Sequence, residues 1–280
     1  MNKADRDFYI SIGVIAVVLI GGYSALTVYT GFTAPFSVIM SESMQHSNTE
    51  SQLGVIDTGD VVITQDPDKA TIYSYVEGTQ NGYRTFGDFG SVIIYERGSN
   101  HNPVIHRAIV WLEYNDTTQT WSAPSLEGYT GPWYFEDEEN NKHHTWNNIH
   151  GTLVFDDITF SGKNNISINL DKLPKSSGYL TMGDNPEENS YFDQSVNIVD
   201  HLISEEDIKS VPIFEIPWLG TLKILLNGGD HLDHVTNSIP SLVMSFVTII
   251  GLLITIDGIS LYKNEKGLKN KISTLKQYKR

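Results

Sequence analysis

The chain contains no cysteine. Disulfides, thiolate catalysis and cysteine-ligated zinc are thereby excluded. Positive charge is also scarce over most of its length. Of 34 acidic and 19 basic residues, 30 acids but only 10 bases fall between two long apolar runs. That region carries a net charge of about −20, which argues against nucleic-acid binding, since phosphates need a basic face. Helix-period patterning is sparse in the same region, whereas period-2 and β-branched runs recur, so it reads as mainly β.

The two apolar runs read as membrane spans. Phe8–Tyr29 carries no charge, and a helix rising ~1.5 Å per residue crosses a ~30 Å hydrocarbon core in about 20 residues. The expected anchor is residues 8–31. A cleaved signal peptide would have a shorter apolar core and a small-x-small exit, for which TVYTGF is a poor match. Ile239–Leu261 is the second span, with one acid, Asp257, near its end. A buried core helix is the rival reading, and the length of the run argues against it. The tail, 262–280, holds Lys263, Lys266, Lys269, Lys271, Lys276, Lys279 and Arg280 against Glu265 alone. Short basic flanks stay in the cytoplasm. This places residues 1–7 and the tail inside and residues 32–236 outside, in a multi-pass protein of the cell membrane.

Within 32–236, strands are expected at Val55-Ile56, Val61–Thr64, Ser91–Tyr95, Val104–Tyr114, Gln119–Ser122, Thr152–Phe155, Ile166–Leu170 and Gly178–Met182. Residues 123–150 are aromatic, acidic and turn-rich, and read as an insertion outside the core. Lys163 and Lys175 read as solvated surface charges. Pro217-Trp218-Leu219-Gly220 followed by TLKILLN reads as a short amphipathic helix at the bilayer interface. Asn115-Asp116-Thr117 and Asn165-Ile166-Ser167 fit the glycosylation sequon.

Without cysteine, the available nucleophiles are chiefly hydroxyls. A serine needs a neighbouring base, for which histidine suits neutral pH, and a buried acid to orient that base. Candidates are Ser41 and Ser43 in SVIMSESMQHS, His106 in VIHRAI, and Asp184 or Asp193 in GYLTMGDNPEENSYFDQ. His46 is a rival base. His231-x-Asp233-His234 and His143-His144 are weak metal-ligand patterns. Taken singly, a strand histidine or a Gly-Asp-Asn turn is usually structural.

Their order carries more. Ser41-x-Ser43-Met44 behind an anchor, then Gly59-Asp60-Val61-Val62, His106-Arg107, Gly183-Asp184-Asn185, Asp193 and Pro217-Trp218-Leu219-Gly220 resembles the type I signal peptidases, in their archaeal and endoplasmic-reticulum branch. The resemblance covers most of residues 8–225. It implies a signal peptidase-like β fold between two transmembrane helices. It implies Ser43 as nucleophile, Ser41 as an oxyanion-hole hydroxyl, His106 as general base and Asp184 or Asp193 as its orienting acid. Phe36, Val38 and Met40 would line shallow pockets for small side chains. No metal or cofactor is implied. Its partners would be the lipid bilayer, secretory precursors with small-x-small cleavage sites and the protein-translocation channel. Glu42 stands where the family usually has glycine, His46 where it usually has proline, and the two acids are more widely spaced.

Two other classes fit parts of the pattern. One is a non-catalytic, membrane-tethered β domain that binds exported peptides or serves as a peptidase subunit. The other is a self-cleaving repressor-type serine protease, which needs a lysine base; Lys69 and Lys142 lie outside any matching motif.

Overall fold

The expected alternation becomes an antiparallel sheet. The computed structural model describes residues 3–98, 101–227 and 235–277. Its strands are β1 (Phe36–Val38), β2 (Val61–Gln65), β3 (Arg84–Thr85), β4 (Asp88–Phe89), β5 (Val92–Tyr95), β6 (Val104–Asn115), β7 (Thr120–Ser122), β8 (Trp133–Glu136), β9 (Lys142–His143), β10 (Thr152–Phe155), β11 (Ile166–Asn169), β12 (Gly178–Met182) and β13 (Ile208–Ile216). The main sheet runs β1-β2-β13-β5-β6-β12, with β7 added to the end of β6. A second sheet runs β11-β10-β8-β9, and β3-β4 form a small ribbon. Val55 and Ile56 are buried but form no strand.

The helices are α1 (Lys3–Thr30), α2 (Tyr75–Asn81), α3 (Leu219–Asn227) and α4 (Ser238–Gln277). Two are long and apolar enough to cross a membrane, over Phe8–Thr30 and Ser238–Ile259. Their apolar side chains are exposed: Val17 is 71% and Ile254 67% accessible. A water-soluble fold buries such stripes, and a bilayer covers them. Helix α4 continues past the apolar span through the basic residues as far as Gln277.

Both long helices are tied to the β region by hydrogen bonds. Tyr29 and Thr30 carbonyls at the end of α1 accept from Gln65 Nε2 (3.1 Å) and the Asp66 amide (2.8 Å). Lys69 Nζ donates to Val28 O at 2.8 Å, placing a cation at the negative end of the helix dipole. At the other end, Ser238 Oγ donates to Thr58 O (2.5 Å) and Asn237 Nδ2 to Asn48 O (2.7 Å).

Segment 123–150 belongs to the core, which corrects its reading as an insertion. Ala123, Leu126, Trp133, Phe135 and Ile149 are buried in one cluster with Ile109, Leu112, Leu180 and Phe155. Its strands β8 and β9 build the second sheet. Lys163 is not a free surface charge either. It is half-buried, and its ammonium donates to the carbonyls of Gly183, Asn185 and Asn189.

Gly90 joins α2 to the main sheet at close range. Its φ is +79°, and a Cβ there would lie 2.6–2.7 Å from the backbone of Ser74 and Tyr75. Backbone cannot yield as a flexible side chain can. Gly90→Ala should therefore cost about 2–4 kcal/mol of stability. Denaturant unfolding checks this, and an unchanged midpoint would contradict the close approach.

Candidate active site

Two adjacent residues of β6, His106 and Arg107, define the site. Successive strand side chains point to opposite faces. His106 and Arg107 therefore need separate partners, and the structure supplies one acid to each. His106 is 3% accessible, and its Nδ1 lies 2.8 Å from both carboxylate oxygens of Asp193. Arg107 is fully buried on Asp184, with Nε donating to Oδ1 at 2.9 Å and Nη2 to Oδ2 at 2.5 Å. Asp184 is thus the partner of Arg107 and does not orient His106. That function falls to Asp193, whose amide bonds Thr181 O (2.9 Å) and so returns the chain to β12, beside β6.

Asp193 sits in a relay that the sequence reading missed. Tyr95 OH donates to Asp193 Oδ2 at 2.6 Å, and Thr181 Oγ1 donates to Tyr95 OH at 3.3 Å. Strand parity could have revealed Tyr95: it pairs with Val104, two residues from His106 and on the same face. Burial works to raise Asp193, but His106 and the hydroxyls of Thr181 and Tyr95 overcome it and hold the carboxyl below its ordinary value. Burial and the charge of Asp193 push the Tyr95 phenol up, so it remains a neutral donor. An ionised Asp193 accepts only, so Nδ1 of a neutral His106 carries the proton and Nε2 keeps its lone pair. That is the tautomer a general base requires.

Arg107 saturates all five of its N–H donors. Besides Asp184 they reach the carbonyls of Thr85 (3.1 Å), Phe89 (3.0 Å) and Gly90 (3.0 Å). Burial works to raise Asp184, yet Arg107 and His46 bring it down to about 2.

The serines come to this end of the sheet through the turn after β12. Ser43 O accepts from the Asn185 amide (2.9 Å) and Asn189 Nδ2 (2.8 Å), and Glu42 O accepts from Asn185 Nδ2 (2.9 Å). Met44 packs in a cluster with Ile39, Ile56, Val62, Val92 and Ile94. Ser43 is half-buried and its Oγ lies 3.3 Å from Ser41 Oγ. Among the described residues no hydrogen bond joins Ser43 Oγ to His106; such bonds often form only when substrate is bound. Glu42 is not among the positive-φ residues, so the loop makes no conformational demand for glycine there.

Phe36, Val38 and Met40 alternate along and just beyond β1, the edge strand of the main sheet. Phe36 and Met40 are exposed and Val38 is half-buried. His46 is no rival base. Its ring stacks on Phe160 at 3.7 Å between centroids, and Nε2 is enclosed, 3.5 Å from Asp184 Oδ2 and beyond good hydrogen-bond range. His143 binds Asp137 (2.8 Å) and His144 the Trp133 carbonyl (2.8 Å). Among the described residues no cluster could hold a metal. The His231, Asp233 and His234 pattern lies outside the described residues.

The depressed Asp184 predicts a stability slope. A carboxylate whose pKa is lower folded than unfolded stabilises the fold above about pH 4, and loses that contribution as pH falls toward 2. Asp184→Asn should destabilise at neutral pH by about 3–5 kcal/mol, because it leaves Arg107 buried and uncompensated. It should also flatten the stability change between about pH 4 and 2, as measured by denaturant unfolding across that range. No protein-family model and no curated protein matches the chain.

Proposed function

We propose that the chain is a membrane-bound serine endopeptidase of the signal peptidase type, which removes N-terminal signal peptides from secretory precursors outside the cell membrane. One observation carries the reading: a buried histidine, fixed on Nδ1 by an ionised aspartate, stands at the same end of the sheet as a pair of serines 3.3 Å apart. The order Ser, His, Asp along the chain and the flanking apolar helices support it.

In this mechanism Ser43 Oγ attacks the scissile carbonyl while His106 Nε2 takes its proton. Asp193 stabilises the imidazolium that forms. The oxyanion is met by the Ser41 hydroxyl and the Ser43 amide, and each such donor is typically worth about 10²–10³ in rate. His106 then hands the proton to the leaving amine, and water hydrolyses the acyl-enzyme. The substrate lies extended against the open edge of β1, where Phe36, Val38 and Met40 select small side chains. Helices α1 and α4 hold the site where a cleavage site leaves the bilayer, which raises the effective concentration of precursor.

The non-catalytic reading has one observation in its favour: Ser43 Oγ is bonded to Ser41 Oγ rather than to His106. Ser43→Ala separates the two. Membranes carrying it should no longer process a precursor with an Ala-x-Ala site, and a serine-directed covalent probe should label Ser43 only in the wild type. Full processing by the variant would rule the assignment out. Asp193→Asn should lower kcat by about 10²–10⁴, because the wrong tautomer is held. Asp184→Asn, measured where it remains folded, should cost less than Asp193→Asn, because it loosens the turn that holds Ser43 but leaves the His106–Asp193 pair intact.

A further inference from the structure

The hairpin between β10 and β11 leaves the second sheet and reaches the serine loop. It is closed by paired backbone bonds between Ile158 and Lys163 (3.0 and 2.9 Å), with Ile158 anchored in the main core. From it the Phe160 amide bonds Asp88 Oδ2 (2.7 Å), and the Phe160 ring stacks on His46, three residues beyond Ser43. Lys163 Nζ donates to Asn185 O (3.0 Å), Gly183 O (3.4 Å) and Asn189 O. These carbonyls belong to the turn whose Asn185 amide and Asn189 side chain hold Ser43 O.

We infer that Lys163 is a positioning residue for Ser43: its ammonium clamps the 183–189 turn, and this turn fixes the serine loop. The inference rests on the peptidase reading of Ser43. An ammonium has three N–H donors for three carbonyls, and the neutral amine has only two. Losing the proton therefore removes one bond and the charge from the clamp. Burial brings Lys163 down to about 8, against the pull of Asp184 and Asp88. Those carboxylates are themselves faced by Arg107, and Asp184 also by His46. The clamp should accordingly loosen a little above neutral pH.

The test uses the full chain in lipid nanodiscs. In Lys163→Met, amide exchange across 183–189 at pH 7 should quicken about tenfold or more, with β5 and β6 unchanged. Precursor kcat should fall about tenfold, with KM within about twofold. Wild-type kcat should decline above about pH 8, and this alkaline limb should be missing from Lys163→Met, where nothing remains to titrate. Unchanged exchange across 183–189, or an alkaline limb that persists in the variant, overturns the clamp. If the wild type processes no precursor, the peptidase reading fails, and the exchange result alone decides the clamp. If the variant does not fold, the wild type suffices. Its 183–189 exchange, corrected for base catalysis, should rise between pH 7.5 and 9 more than that of β6. An equal rise in both overturns the proposal.

Discussion

The serine loop is placed through the buried ion pair between Arg107 and Asp184. Neither group could be enclosed alone, since an unpaired charge in the interior is strongly disfavoured. Together, with every guanidinium N–H satisfied, they join three chain segments. Arg107 gathers the carbonyls of Thr85, Phe89 and Gly90. Asp184 begins the turn that carries Asn185 and Asn189, and these hold the Ser43 carbonyl. A buried pair of this kind is a modest source of net stability, because desolvation offsets much of the attraction. Its effect here is geometric: it sets where the turn lies, and the turn sets where the serine lies.

The same strand has a second buried polar side chain to satisfy on its other face. Because side chains alternate, His106 looks away from the Arg107 pair and toward Asp193, Tyr95 and Thr181. The two acids near the end of the sheet are not interchangeable: one neutralises a structural cation, the other orients an imidazole. Burial makes both arrangements demanding. In each case the polar partners outweigh desolvation and hold the carboxyl below its ordinary value.

Much of the fold was legible in local patterns. Apolar, β-prone runs such as VIIY and GYLTM form strands within a residue of their expected bounds. Strand β13 was missed, although it lies between β2 and β5 in the main sheet. Pro212 interrupts its pattern, and the structure accommodates this with a bulge between Pro212 and Phe214. Helix α2 was also missed, yet its signal was present: Ser74 and Glu77 form a capping box. The segment 123–150 looked peripheral because its apolar residues lie among acids and turns. Their common burial appears only when the second sheet packs on the first.

The sequence by itself determined the two long apolar helices, the mainly β region between them and the short list of candidate residues for serine chemistry. Length, charge and period are local properties, and they survive without knowledge of the fold. Tertiary structure alone decided which acid serves His106 and that Lys163 lies against the carbonyls of a distant turn, and it fixed the register that brings Tyr95 to Asp193. Each of these pairings joins residues at least 20 positions apart. Strand register and bulges place such residues together, and no local pattern records the outcome.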